Sequence, residues 1–416
     1  MSAPPYVRAL EAAKFIMGPP SIKGIPLWRG AGLRAVQLLI EGFLALVARR
    51  EEAAFAEHGF LSSAEANKEV FGSYANVYEL LDVPGHPGTQ FRSDNIVTSI
   101  ARLQREDSAA PVVAVGSILR DAAGKTPPLF RDRNIWPVVE LNQLADSDKA
   151  LELLGFYATV IEDLLWSIGV PSVTVETPAL ASYGKTTYLT VAVLPNKRPT
   201  VLATLYILAD ELRVALGEQH DVIDVGFTGK LLATAAMVHV DARGLALPST
   251  IAPVQVGVTL SAGNDQAQSA QWLEELRAGG LRCETTLAGS QGARARAEQA
   301  WHRRSVPLVI GLDRTPGAVT TCTRLPIKRT ELPELPSPQA VHDLLAAGDA
   351  RLAKTARRLF DSAMDEGGHL RSRCDSCAED AGLAVFGVVV PRTPVRCERC
   401  GTTGQRLFIS DEGRFY

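Results

Sequence analysis

Apolar residues recur at three- and four-residue spacing through "GLRAVQLLIEGFLALVARREEAAFAEHG" (32–59), which predicts one long helix with a single buried face. Two β-rich runs follow, "APVVAVGSILRD" (110–121) and "FRDRNIWPVVELNQL" (130–144), separated by the polar "AAGKTPP". A connection this short cannot make a parallel crossover, so the two runs are expected to pair antiparallel. "SDKALELLGFYATVIEDLLWSIG" (147–169) reads as a helix with Ser147 as N-cap and Gly169 as its stop. "SVTVETP", "TTYLTVAVL" and "TVLATLYIL" predict further strands before a helix that starts near Lys230. That helix turns through "DARGLALP" into the β-like "IAPVQVGVTL". Mostly antiparallel strands flanked by helices point to an α+β layer.

From about residue 251 the pattern changes. "APVQVGVTL", "AQSAQWLEELRAGG", "RCETTLA", "ARARAEQAWHRR" and "VPLVIGLD" alternate β-α-β-α-β, the signature of a small, largely parallel α/β unit. The Pro-rich "ELPELPSPQ" (331–339) is expected to be a stiff linker. A basic amphipathic helix, "DLLAAGDARLAKTARRLFDSAM", then leads into a Cys-bearing end. The expected organisation is therefore 1–250, 251–332 and 333–416.

The chain has 416 residues, 46% of them hydrophobic and 21% charged, which gives ample material for a core. A net charge of −3 argues against gripping nucleic acid through bulk electrostatics. The first residues lack a basic start followed by an unbroken apolar run, so no signal peptide is expected. "AVQLLIEGFLALVARREEAAF" is interrupted by Glu41 and Gly42 and reads as too short to span a bilayer. A soluble, cytoplasmic enzyme or binding protein without membrane partners is the expectation.

Cys374, Cys377, Cys397 and Cys400 form two C-x2-C pairs, whereas Cys283 and Cys322 stand alone. Paired thiolates at this spacing read as a metal site, and four of them close a tetrahedral zinc shell, so the ion would be structural. Two "GKT" tripeptides, at Gly124 and Gly184, lack the upstream Gly of a phosphate loop, Leu119 and Ala179 standing there. Both read as turns. Arg120, Arg131 and Arg133 stand around the first of these turns, where facing cations can clamp a phosphate or carboxylate, or simply form a solvated hairpin face. His220, His239 and His302 show no ligand spacing and read as structural.

Together these stretches resemble the prolyl-tRNA synthetases, a family of class II aminoacyl-tRNA synthetases. "GKLLATAAMVHVDARGLALPSTIAPVQVGV" is similar to the family's third-motif helix running into its anticodon-binding domain. "SILRDAAGKTPPLFRDRNIWPVVELNQL" is similar to its second-motif hairpin, and the four cysteines with the terminal "RFY" to the zinc-bearing C-terminal module of archaeal/eukaryotic-type members. The resemblance implies a class II synthetase-like antiparallel sheet with helices, then an anticodon-binding-like α/β domain, then a small zinc-binding domain. It further implies ATP or an adenylate-like nucleotide with Mg2+, an amino acid as ligand, and a homodimer.

In that reading Arg120 and Lys230 meet phosphate, Arg131 and Arg133 lie in the closing half of the second motif, and Glu140 holds an amino group. Several matched positions depart from the family. Lys230 replaces an Arg, Ala122 and Asn134 replace Glu, and Asn142 replaces a His. Val309 and Gly311 replace the charged pair that grips anticodon bases, which removes direct base readout. The expected function is therefore aminoacyl ligase or transferase chemistry with a non-tRNA acceptor, a carrier protein or nucleoside-like metabolite, and weakened tRNA contact. The alternatives are a non-catalytic paralogue, acting as sensor or partner subunit, and a divergent but active prolyl-tRNA synthetase.

Overall fold

A computed structural model of the chain describes residues 3–18, 26–71, 80–106, 108–120, 129–130, 134–261, 266–312, 319–324, 326–411 and 415. Its backbone is an 11-stranded sheet. The order runs Leu370–Arg373, Thr403–Ile409, Val385–Val389, Val173–Glu176, Gly184–Val193, Pro199–Leu208, Asp221–Thr228, Asn134–Ala145, Val112–Leu119 and Ala54–Glu57, with Val395–Arg396 beside Thr403–Ile409. Val112–Leu119 and Asn134–Ala145 pair antiparallel, as the short connection requires. Within this sheet, among the described residues, the pair Ala54–Glu57 with Val112–Leu119 is the parallel one.

That parallel strand corrects the first helix. The helix is Gly30–Val47, and the residues expected to continue it form the strand Ala54–Glu57. The reason is in the pattern: "ARREE" breaks the apolar stripe, and Ala54 to Glu57 then alternate in burial with the period of a strand. Ala54 N donates to Pro111 O at 2.9 Å, which fastens the strand to the sheet edge. The Gly30–Val47 helix is long and apolar enough to cross a membrane by length and composition, contrary to the expectation. Its Ala35, Val36, Leu39, Ile40, Phe43 and Val47 are instead buried in the core under the sheet.

Ser147–Ser167 forms the predicted helix, but Ser147 is its first residue and Asp146 is the N-cap. Gly169, at φ 67°, supplies the left-handed stop. Gly184 to Thr186 opens the Gly184–Val193 strand instead of making a turn, because the turn comes earlier, closed by Tyr183 N to Leu180 O at 2.8 Å. A Cβ at Gly184 would press on the Tyr206 ring, so only glycine fits there. The Gly124 tripeptide lies outside the described residues.

The second unit is a five-stranded sheet, ordered Cys283–Ala288, Val256–Ser261, Leu308–Leu312, Val319–Arg324 and Ile327–Leu332. Its first three strands are parallel, as the β-α-β-α-β pattern predicts, and the last two are antiparallel. The "DARGLALP" stretch carries a two-residue hairpin, Val240–Asp241 with Gly244–Leu245. Buried Arg324 reaches from the second unit to this hairpin and meets both Asp241 carboxylate oxygens, at 2.7 and 2.8 Å.

After the linker, Pro338–Gly367 is one helix, N-capped by the Ser337 hydroxyl, which accepts from Ala340 N. Its Phe360, Ala363 and Met364 pack with Val175, Leu189, Val191, Phe386 and Phe408. Pairing of Val385–Val389 with Val173–Glu176 makes the C-terminal strands a continuation of the first unit's sheet.

Candidate active site

Side chains of the central strands alternate between the two faces of the sheet. On one face Val139, Leu141, Val225, Phe227, Ala203 and Leu205 are buried against the helices Gly30–Val47, Ser147–Ser167 and Lys230–Val238. Each such residue contributes roughly 2 kcal/mol by leaving water, which commits that face to the core. The opposite face therefore presents the polar members: Glu140 and Asn142 from one strand, Asp224 from the next, and Tyr206 beyond it.

These side chains form a connected acidic wall. Asn142 Nδ2 donates to Asp224 Oδ1 at 3.1 Å, and the Tyr183 hydroxyl donates to Asp224 Oδ2 at 2.9 Å. The Tyr183 and Tyr206 rings meet edge-on at 4.7 Å. Glu140 Oε2 accepts from Asn95 N at 3.2 Å. The segment just before Asn95 binds Arg120: Nε donates to Ser93 O at 2.9 Å and an Nη to Asp94 Oδ2 at 3.1 Å. Arg92, in the same segment, is buried and donates to Ser117 O at 2.8 Å. It runs so close to the Val112–Leu119 strand that a Cβ on Gly116 would collide with its guanidinium.

Burial is the largest influence on both inner carboxyls. It lifts Asp224 from 3.8 to about 8, with the Asp94 charge adding to the effect. Burial also holds Glu140 well above the usual carboxylate range, aided by Asp94 and then Asp224. Among the described residues, Glu140 Oε1 and Asn142 Oδ1 are buried oxygens without a hydrogen-bond partner. Two such orphans in one wall each cost about 1–3 kcal/mol, a cost that a donor-rich guest removes.

Arg120 follows the Leu119–Asn134 pair, and Lys230 lies two residues after the Thr228–Val138 pair, so both cations stand at the same end of the sheet. They bind different partners. Arg120 faces Asp94, whereas Lys230 Nζ donates to Val201 O at 2.9 Å. Arg131 and Arg133 lie outside the described residues. Asp94, Tyr183 and Asp224 were missed as candidate residues in the sequence because they are scattered over more than a hundred positions, and Asn142 was noted only as replacing a His. One signal was present: the Asp in the middle of apolar "DVIDVGF" puts a carboxylate where a strand buries its side chains. His239 is buried in the core, and burial lowers it to about 4, which keeps the ring neutral.

At the C-terminal end the Sγ atoms of Cys374, Cys377, Cys397 and Cys400 all lie within 4.8 Å of one another. Cys377 and Cys397 are buried, and Cys374 and Cys400 approach to 3.7 Å. This geometry fits a tetrahedral four-thiolate ion.

No protein-family model matches the chain. It is 23% identical over 274 residues to the proline–tRNA ligase of Aeropyrum pernix, covering 59% of this chain and 55% of that protein. It is 25% identical over 263 residues to the proline–tRNA ligase of Methanocorpusculum labreanum, covering 58% and 51%. The alignments thus span about half the length of these curated relatives. The structure superimposes on Giardia lamblia prolyl-tRNA synthetase in complex with prolyl-adenylate with a TM-score of 0.78 at 16% identity, covering 99% of this chain and 97% of that one. Cryptosporidium parvum prolyl-tRNA synthetase complexed with halofuginone and AMPPNP gives 0.79 at 16% identity, covering 99% and 94%. The fold is that of the prolyl-tRNA synthetases, and the chain is prolyl-tRNA synthetase-like.

Proposed function

We propose that the chain is an aminoacyl ligase or transferase of the class II synthetase type, which activates an amino acid on a nucleotide and passes it to an acceptor other than tRNA. The observation that carries this reading is the buried acidic wall, with Glu140 Oε1 and Asn142 Oδ1 lacking donors beside an Arg at the sheet end. An ammonium group supplies three donors and a positive charge, so it satisfies both acceptors and draws the raised carboxyls back to their ionised forms. The amino acid's own carboxylate then faces the Arg120 end.

In the activation step a carboxylate oxygen bonds to the α-phosphorus of ATP, and the bond to pyrophosphate breaks. The protein's part is positioning and charge neutralisation, for which Arg120, Lys230 and the two Arg at 131 and 133 are the candidates. Mg2+ would accompany the nucleotide. Zinc on Cys374, Cys377, Cys397 and Cys400 would fix the C-terminal strands and take no part in the reaction. The non-tRNA acceptor rests on the sequence departure at Val309 and Gly311, which carry no charge of their own, although Val309 is buried and the Arg294 guanidinium stands beside Gly311.

Amino-acid-dependent exchange of pyrophosphate into ATP, run with each of the standard amino acids, tests activation. Exchange with one of them supports the reading; no exchange with any of them removes it. Efficient charging of bulk tRNA would replace it with a divergent prolyl-tRNA synthetase. A second reading, a binding paralogue without activation chemistry, is favoured by one feature: Arg120 and Lys230 are already engaged by Asp94 and the Val201 carbonyl. Amino-acid binding without exchange would select it.

A further inference from the structure

A cluster in the second unit belongs neither to the acidic wall nor to the four-cysteine group. Glu298 and His302 lie four residues apart on the helix Gln291–Arg303, so they share one face. That face packs toward the strand Val319–Arg324, which carries Cys322. One oxygen of Glu298, one ring nitrogen of His302 and Cys322 Sγ all lie within 4.8 Å of one another. His302 and Cys322 are buried, at 4% and 2% exposure.

The orientation of each group is set from outside the cluster. His302 Nδ1 meets Val306 O at 3.2 Å, which makes Nδ1 the N–H and leaves the Nε2 lone pair directed at Cys322. The Nε2 to Sγ distance is 3.7 Å. Around a tetrahedral zinc with ordinary Zn–N and Zn–S bonds, nitrogen and sulfur ligands stand about 3.6 Å apart. Glu298 is held from its solvent side by Arg329, with nitrogen–oxygen distances of 2.8 and 3.1 Å. A ring N–H on a carbonyl and a carboxylate braced by a cation are the outer partners that metal ligands use to fix their geometry.

We propose that Glu298, His302 and Cys322 form a second metal site, selective for zinc-like divalent ions. Sulfur, imidazole nitrogen and carboxylate oxygen together suit zinc and exclude magnesium and calcium, which take oxygen shells. Three protein ligands leave the fourth tetrahedral position for water or a ligand atom, unlike the closed four-cysteine shell. The sequence reads His302 as structural because its partners come from one helical turn back and from a strand twenty residues on. This inference is independent of the acidic wall and of the proposed aminoacyl chemistry.

The test is metal stoichiometry on the full chain, stripped, re-equilibrated with Zn2+ alone and measured by elemental analysis after gel filtration. The wild type is expected to hold about two ions per chain, Cys322→Ala about one, and a chain with Cys374, Cys377, Cys397 and Cys400 all replaced by Ser about one. Co2+ in that four-Ser chain is expected to show a thiolate charge-transfer band that disappears when Cys322→Ala is added. One ion in both the wild type and Cys322→Ala overturns the proposal. Should the four-Ser chain fail to fold, the comparison of wild type with Cys322→Ala decides alone.

Discussion

Replacing Asp224 with Asn isolates the titration of the acidic wall. The change keeps the side chain's shape. Its oxygen still accepts from Asn142 Nδ2, and the Tyr183 hydroxyl can turn to accept from the new amide. In the wild type, burial raises Asp224 from 3.8 to about 8. Below pH 3.8 both folded and unfolded chains carry the proton, and the group's contribution is fully present. Between that value and 8 the unfolded chain ionises while the folded one does not, so stability falls as pH rises. The slope is about 1.4 kcal/mol per pH unit, and it vanishes in the Asn variant. Asp224→Asn should therefore gain about 2.7 kcal/mol on the wild type between pH 5 and pH 7. Urea unfolding followed by far-ultraviolet circular dichroism at pH 5, 6 and 7 measures this gap at constant ionic strength. A gap that stays flat over that range would mean that Asp224 is ionised in the folded chain throughout, contrary to its burial.

Arg120→Met should slow pyrophosphate exchange by about a hundredfold, because it removes a positioned cation from developing charge; an unchanged rate takes Arg120 out of the site. Asp241→Ala leaves buried Arg324 without its bidentate partner and should cost about 3 kcal/mol in thermal or urea unfolding, whereas a loss well under 1 kcal/mol would show the pair to be solvated. Cys377→Ser, or strong chelation of the wild type, should release the C-terminal ion and lower the melting transition of the strands it staples. An unaltered melt with no ion released contradicts the structural role.

The parts of the fold legible in the sequence are those governed by period and turn chemistry. The Val112–Leu119 and Asn134–Ala145 hairpin, the helix stopped by Gly169 and the parallel second unit all follow from local pattern. The helix continued past Val47 was misread because "EEAAFAEHG" has good helix formers, and only its pairing beside Pro111 makes a strand of it. The candidate site was only partly legible. Resemblance pointed to Glu140 and Arg120 as candidates, but the acidic wall that carries Glu140 is assembled by strand register, which places Asn142 opposite both Val112 and Asp224. No local pattern announces such a pairing. The same holds for Cys322, whose partners are supplied by a helix packed across the second sheet.

The central claim is that the wall formed by Glu140, Asn142 and Asp224 receives the ammonium of an activated amino acid. Calorimetric titration of the full chain with a panel of aminoacyl-sulfamoyl adenosines, run in parallel on Glu140→Gln, tests it most directly. At least one compound should bind the wild type, release protons on binding at pH 7, and bind the variant about a hundredfold more weakly. Equal affinity for both chains, or no binding by any member of the panel, would contradict it.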